Sequence, residues 1–173
     1  MKREEFHTLL DSRENINILI GYLIENPKHI DQLIAIGLCE QKKESWRAIW
    51  IADKIHEKKP ELIRPYIDQM IAALETTNND SKLRHLMKLI SLNTIPRKKL
   101  SFLLDLCIRE FSNAERPTAI RVHAMQILFE ISENEPDFKP ELVHLIEHEM
   151  EHHASAGINA RGKNLLKKLR KNI

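Results

Sequence analysis

Glycine occurs only four times and cysteine twice in 173 residues, and aromatic side chains make up 5 %. So few glycines leave little means of bringing backbone against a pyrophosphate. No glycine-rich phosphate loop and no G-x-S-x-G elbow is present, which excludes nucleotide-driven chemistry and a serine nucleophile of that type. Cys39 and Cys107 lie in apolar runs without C-x-x-C spacing, which excludes a disulfide framework and a thiolate metal site. Both read as small core hydrophobes. The stretch from Met1 to Asp11 is charged throughout, so no signal h-region is expected, and longer apolar stretches are broken by charge before they reach membrane-spanning length. A soluble, cytoplasmic chain without membrane contact is the expectation. The net charge is only +2, short of the overall basicity of a dedicated nucleic-acid binder.

What is abundant is Leu and Ile mixed with Lys and Glu, a composition for helices. The length suits one domain with a real core. Five prolines, Pro27, Pro60, Pro96, Pro117 and Pro140, each precede an apolar-periodic stretch. A missing N–H is tolerated there because first-turn donors are unpaired in any case. The pattern predicts helices at 2–10, 14–25, 27–39, 45–58, 61–76, 81–92, 97–112, 118–134, 140–153 and 158–171. Pro65 falls inside the fifth and should bend it slightly.

The helices repeat. Lys59-Pro60-Glu61-Leu62-Ile63 recurs 80 residues on as Lys139-Pro140-Glu141-Leu142-Val143, and Tyr66 and Met70 continue the match to Ile146 and Met150. Two repeats of about 40 residues explain that offset. Trp46-Arg47, Leu83-Arg84, Val122-His123 and Ala160-Arg161 stand 37, 39 and 38 residues apart and open the first helix of each pair. In the helix opened by Trp46, the apolar side chains Trp46, Ile49, Trp50, Ile51, Ala52 and Ile55 surround most of the circumference, so it must be covered on several sides. Ile67 and Ile71 become Glu147 and Glu151 at the 80-residue offset, as expected where a terminal repeat turns a polar face outward.

On these features, with Ile120-Arg121-Val122-His123-Ala124-Met125-Gln126-Ile127-Leu128 closest to the pattern, the chain over roughly residues 44–173 resembles HEAT repeats. The resemblance implies an all-α, right-handed α-α superhelix of four to five antiparallel helix pairs within a single domain, 1–173. Residues 1–43 form a degenerate capping unit, 44–80, 81–116 and 117–154 are repeats, and 155–173 is a C-terminal capping helix.

The sharpest chemical motif is His148-Glu149-Met150-Glu151-His152, an H-E-x-x-H pattern, overlapped by the inverted form from His144 to His148. Zinc hydrolysis needs two imidazoles a turn apart, a glutamate base and a third protein ligand. Beyond His153 there is no Asp, Glu or His to supply one. At 100° per residue His144, Glu147, His148, Glu151 and His152 share one arc, opposite Leu142, Val143, Ile146 and Met150, so the motif faces solvent. No catalytic residue, cofactor or dedicated metal site is expected; His144, His148 and His152 are candidates for adventitious metal only.

Charge is unevenly spread: eight carboxylates against one lysine from Glu130 to Glu151, then six cations and no acid from Ala154 to Ile173. Arg97, Lys98 and Lys99, with Arg161, Lys163, Lys167, Lys168, Arg170 and Lys171, are the candidates for a nucleic-acid contact. Some HEAT-like proteins are DNA glycosylases for alkylated bases, but none of their positions is carried onto this chain. Trp46 and Trp50 lie one turn apart and read as core packing rather than as a base-stacking platform. The leading expectation is a non-catalytic scaffold whose second helices line one surface for a protein or peptide, with Arg64, Asp68, Arg97, Lys98, His144, Glu147 and His148 as contact candidates.

Overall fold

A computed structural model describes residues 3–11, 13–39 and 45–171. Every regular element among the described residues is helical. The α-helices are α1 (Arg3–Asp11), α2 (Arg13–Glu25), α3 (Ile30–Cys39), α4 (Ser45–Lys58), α5 (Ile67–Ala73), α6 (Asp80–Ser91), α7 (Leu100–Ser112), α8 (Thr118–Asn134), α9 (Lys139–His152) and α10 (Ala156–Leu169).

The prolines act at the helix entrances. Short 3-10 turns at Pro27–His29, Pro60–Leu62, Arg97–Lys99 and Pro136–Phe138 lead into the second helix of each pair. Each closes in the same way: the N–H of Ile30, Ile63, Leu100 and Lys139 donates to the carbonyl three residues back, at Pro27, Pro60, Arg97 and Pro136. Tight i to i+3 bonding of this kind satisfies donors that a helix start leaves open. Side-chain caps take over where no proline is available. The Asn79 side-chain oxygen accepts from the Lys82 N–H at 2.9 Å before α6, and Ser155 Oγ accepts from the Ile158 N–H at 3.3 Å before α10.

Pro65 does more than bend its helix. A second 3-10 turn, Arg64–Tyr66, follows the first, and α-helical structure starts only at Ile67. Proline has no N–H to give, its ring crowds the carbonyl four residues back, and it disfavours α geometry at the residue before it. The predicted helix 61–76 thereby starts only at Ile67, and α5 ends at Ala73.

The described chain forms two compact units, Met1–Leu89 and Ile90–Ile173. In the first, α4 packs against α2, α3 and the 3-10 turn at Pro60, which accounts for apolar residues around most of its circumference. Leu19, Leu23, Leu33, Ile49, Ile51, Ile55, Ile63 and Met70 are fully buried there. In the second, α8 packs against α7, α9 and α10, over Leu103, Cys107, Phe111, Ile120, Met125, Ile127, Leu128, Ile146, Ile158 and Leu165. Each such side chain contributes roughly 1.5–3 kcal/mol when withdrawn from water. Glycine is used for close approach: a Cβ on Gly162 of α10 would come within 3.2 Å of Ile146 Cγ2 and 2.4 Å of Met150 Sδ on α9.

Cys107 is buried as expected, but Cys39 is exposed. It is the last residue of α3, one position past the apolar stripe that ends at Gly37 and half-buried Leu38.

Candidate functional site

Two features of the second unit, and one of the first, bring polar chemistry together.

The first is a cleft of about 370 Å³ lined by Arg97, Leu100, Ser101, Leu104, Ile131, Glu135 and Phe138. The 3-10 entrance to α7 supplies Arg97, the first turns of α7 supply Leu100, Ser101 and Leu104, and the end of α8 supplies Ile131. Glu135 and Phe138 come from the connection to α9. Leu100 and Ile131 form a buried floor, Leu104 and Phe138 half-buried walls, and Arg97, Ser101 and Glu135 an exposed rim. An apolar floor with a few oriented polar groups of both signs is the usual make-up of a ligand or peptide pocket.

The second lies at the C-terminal end of α9. His148 and His152 are exposed, their rings stacked with centroids 4.4 Å apart. Glu149, however, is 2 % exposed, so it is not presented to solvent with the two imidazoles that the H-E-x-x-H reading groups with it. Arg121 of α8, 4 % exposed, holds it: Nη2 donates to Glu149 Oε2 at 2.7 Å, Nε to the Phe111 carbonyl at 2.8 Å and Nη1 to the His153 carbonyl at 3.2 Å. His153 Nδ1 sits 3.0 Å from the same carboxylate oxygen. A glutamate engaged by a buried guanidinium is no longer available as a general base. His148, Glu149 and His153 together place one potential ligand atom each within 4.8 Å of the others.

The third is a buried network in the first unit. Asp53 of α4 is 1 % exposed and receives Lys88 Nζ at 2.8 Å from Oδ1 and His85 Nδ1 at 3.0 Å from Oδ2. Burial pushes the Asp53 carboxyl up, but the hydrogen bonds and charges of His85 and Lys88 outweigh it, leaving it below the ordinary carboxylate value. Glu57 joins Lys88 at 2.9 Å and is likewise lowered, by its hydrogen bonds to Lys54 and Lys88. Trp46 stacks on His85 at 6.4 Å and on Trp50 at 6.1 Å, with the Arg47 guanidinium 5.9 Å from its ring. Both tryptophans are half-buried rather than fully in the core. The faces of Trp46 are taken up by these neighbours.

The sequence candidates are dispersed. Arg64 and Asp68 lie in the first unit, Arg64 exposed and Asp68 half-buried. Arg97 reaches the cleft, with Lys98 exposed and Lys99 half-buried on the same 3-10 turn. His144 is exposed on α9. Glu147 is half-buried and hydrogen-bonded to Arg170, so that face of α9 is partly occupied from within the chain. On α10, Arg161 donates to Gln126 Oε1 at 2.7 Å and Lys168 Nζ lies 5.5 Å from the Phe129 ring; Lys163, Lys167 and Lys171 are exposed. Sequence reasoning did not single out Arg121, Glu149, Asp53, His85 or Lys88 as partners, nor Leu104, Ile131 and Phe138 as a cleft.

No described helix is long and apolar enough to cross a membrane. Neither the curated proteins nor the solved structures include a match to the chain. The HEAT repeat domain matches residues 7–169, reaching well into the segment before residue 44 where the resemblance begins. HEAT repeats commonly serve as protein-interaction scaffolds, and with its stacked helices, proline-opened second helices and matching sequence pattern over residues 7–169, this chain belongs to the HEAT repeat domain family.

Proposed function

We propose that the protein is a non-catalytic, cytoplasmic scaffold that binds a protein or peptide partner, and that the cleft at the start of α7 is a principal contact. The single observation that carries this reading is the composition of that cleft: a floor of Leu100 and Ile131, walls of Leu104 and Phe138, and a rim carrying Arg97 and Glu135. An apolar side chain of the partner would fill the floor while the two rim charges fix its direction. Binding surfaces of this kind need no reacting group. The repeat layout of 44–80, 81–116 and 117–154 with capping segments on either side belongs to the same reading.

Selection of a displayed random peptide library on the whole chain tests it. Selected peptides should share an apolar anchor flanked by charge. Leu104→Glu, which places a carboxylate in the wall, should weaken them by at least about tenfold, or about 1.4 kcal/mol. Failure to enrich any sequence, or equal binding by Leu104→Glu, would overturn the proposal.

A further inference from the structure

We propose that the C-terminal end of α9 binds one zinc-class divalent cation through His148, Glu149 and His153. Nothing in the cleft reading depends on this site. One ligand atom from each of these residues lies within 4.8 Å of the other two. Zinc with N and O ligands at 2.0–2.1 Å places them roughly 3.4 Å apart. The side chains of His148 and His153 lie on the surface, where rotation can bring their nitrogens closer to the carboxylate.

The carboxylate is the fixed point. Glu149 is 2 % exposed, and Arg121 holds Oε2 from behind at 2.7 Å while its other nitrogens grip the Phe111 and His153 carbonyls. Ligating carboxylates are characteristically oriented by an outer group in this manner, and ring nitrogens by their second hydrogen bond. Two imidazoles and one carboxylate form a borderline donor set that suits zinc and, by the Irving–Williams order, copper or nickel; a hard cation such as calcium wants only oxygen. Exposed Glu151, on the same helix, adds negative charge near this end.

This constellation differs from the H-E-x-x-H reading in two respects. Its second imidazole is His153, one residue past the motif, in place of His152, and Glu149 is a ligand instead of a base. With Arg121 on that carboxylate, Glu149 does not fill the general-base role that the H-E-x-x-H reading gives it. The role proposed for the site is binding. Its physical effect is to tie the last turn of α9 to the residue that leaves it.

The test is calorimetric titration of the chelator-treated full chain with zinc chloride, with cobalt substitution to read the ligand field. One cation per chain is expected, with affinity falling about tenfold or more for His148→Ala and for His153→Ala, and within about twofold of the parent for His144→Ala, an exposed histidine on the same helix. Far-UV circular dichroism should be unchanged in all three, because each side chain is on the surface. Cobalt should give visible bands that His153→Ala abolishes. No stoichiometric binding, or a loss in His144→Ala equal to that in His153→Ala, would overturn the proposal and leave only adventitious surface histidines.

Discussion

Replacing Arg121 by methionine removes a guanidinium that makes three contacts within the second unit: to the Phe111 carbonyl at the end of α7, to the His153 carbonyl after α9 and to the Glu149 carboxylate within it. Methionine fills much of the volume, so the loss is electrostatic and not a cavity. Glu149, with 3 % of its side chain accessible, would be left buried with His153 as its remaining neighbour. Removing one partner of a buried pair destabilises by roughly 3–5 kcal/mol, because the other charge stays desolvated. His153, 39 % exposed and 3.0 Å away, offers partial compensation, which puts the expectation at the lower end, about 3 kcal/mol.

At this chain length 1 kcal/mol corresponds to roughly 2–4 °C, so the melting temperature should fall by about 6–12 °C. Urea denaturation of Arg121→Met, Glu149→Met and the double variant checks the mechanism. The double variant should recover most of what either single variant loses, since burying two matched apolar side chains in place of an ion pair is often neutral or stabilising. Single-variant losses below about 1 kcal/mol, or a double variant as unstable as the sum of both, would refute the reasoning.

Two further outcomes follow from the first unit. Asp53 has a folded pKa below its ordinary value, so its stabilisation is fully present above the unfolded carboxylate pKa and is lost as pH falls through the lower folded one. Asp53→Asn should therefore cost about 1.5–3 kcal/mol at neutral pH and flatten the decline of urea stability in acid; an unchanged pH profile would contradict this. The glycines should respond with opposite signs. Gly21 of α2 has nothing within 4 Å of an added Cβ, so Gly21→Ala should stabilise by roughly 0.5–1 kcal/mol. An added Cβ on Gly37 would meet Ile49 Cδ1 at 2.3 Å and Cγ1 at 2.9 Å in a fully buried side chain, so Gly37→Ala should destabilise by about 1–3 kcal/mol. Denaturant midpoints that move in the same direction would defeat that contrast.

The fold was legible because its signals are local. Prolines mark the helix entrances whatever the tertiary context, and the spacing of Trp46, Leu83, Val122 and Ala160 exposes the repeat without any knowledge of contacts. The echo at 80 residues holds in sequence but not in burial. Ile63, Ile67 and Met70 are buried in the earlier segment, whereas Leu142, Ile146 and Glu149 are buried in the later one, one residue back in register. Comparison of Ile67 with Glu147 therefore sets a core position against a side position. The second 3-10 turn, Arg64–Tyr66 at Pro65, lies between Pro60 and α5, whereas the echoed Pro140 already stands in the first turn of α9, a difference of backbone geometry that residue matching alone does not register.

The buried pairs left a fainter trace. Glu149 stands seven residues after Leu142 and three after Ile146, Arg121 stands four before Met125 and seven before Leu128, and Asp53 stands four after Ile49. Each is a charge on an apolar stripe, and such a charge demands a partner. Helical spacing reveals the demand but not who meets it, because the partners lie 28 and 32 to 35 residues away. That distance suggests what the pairs do. Leu and Ile stripes on repeated helices are nearly interchangeable, so apolar packing alone tolerates a helix docked one turn out of place. A guanidinium on α8 that must meet one carboxylate on α9, and an aspartate on α4 that must meet Lys88 and His85 on α6, penalise each wrong register by a buried unpaired charge. In a fold assembled from similar pieces, such charges would favour the docking register in which each meets its partner.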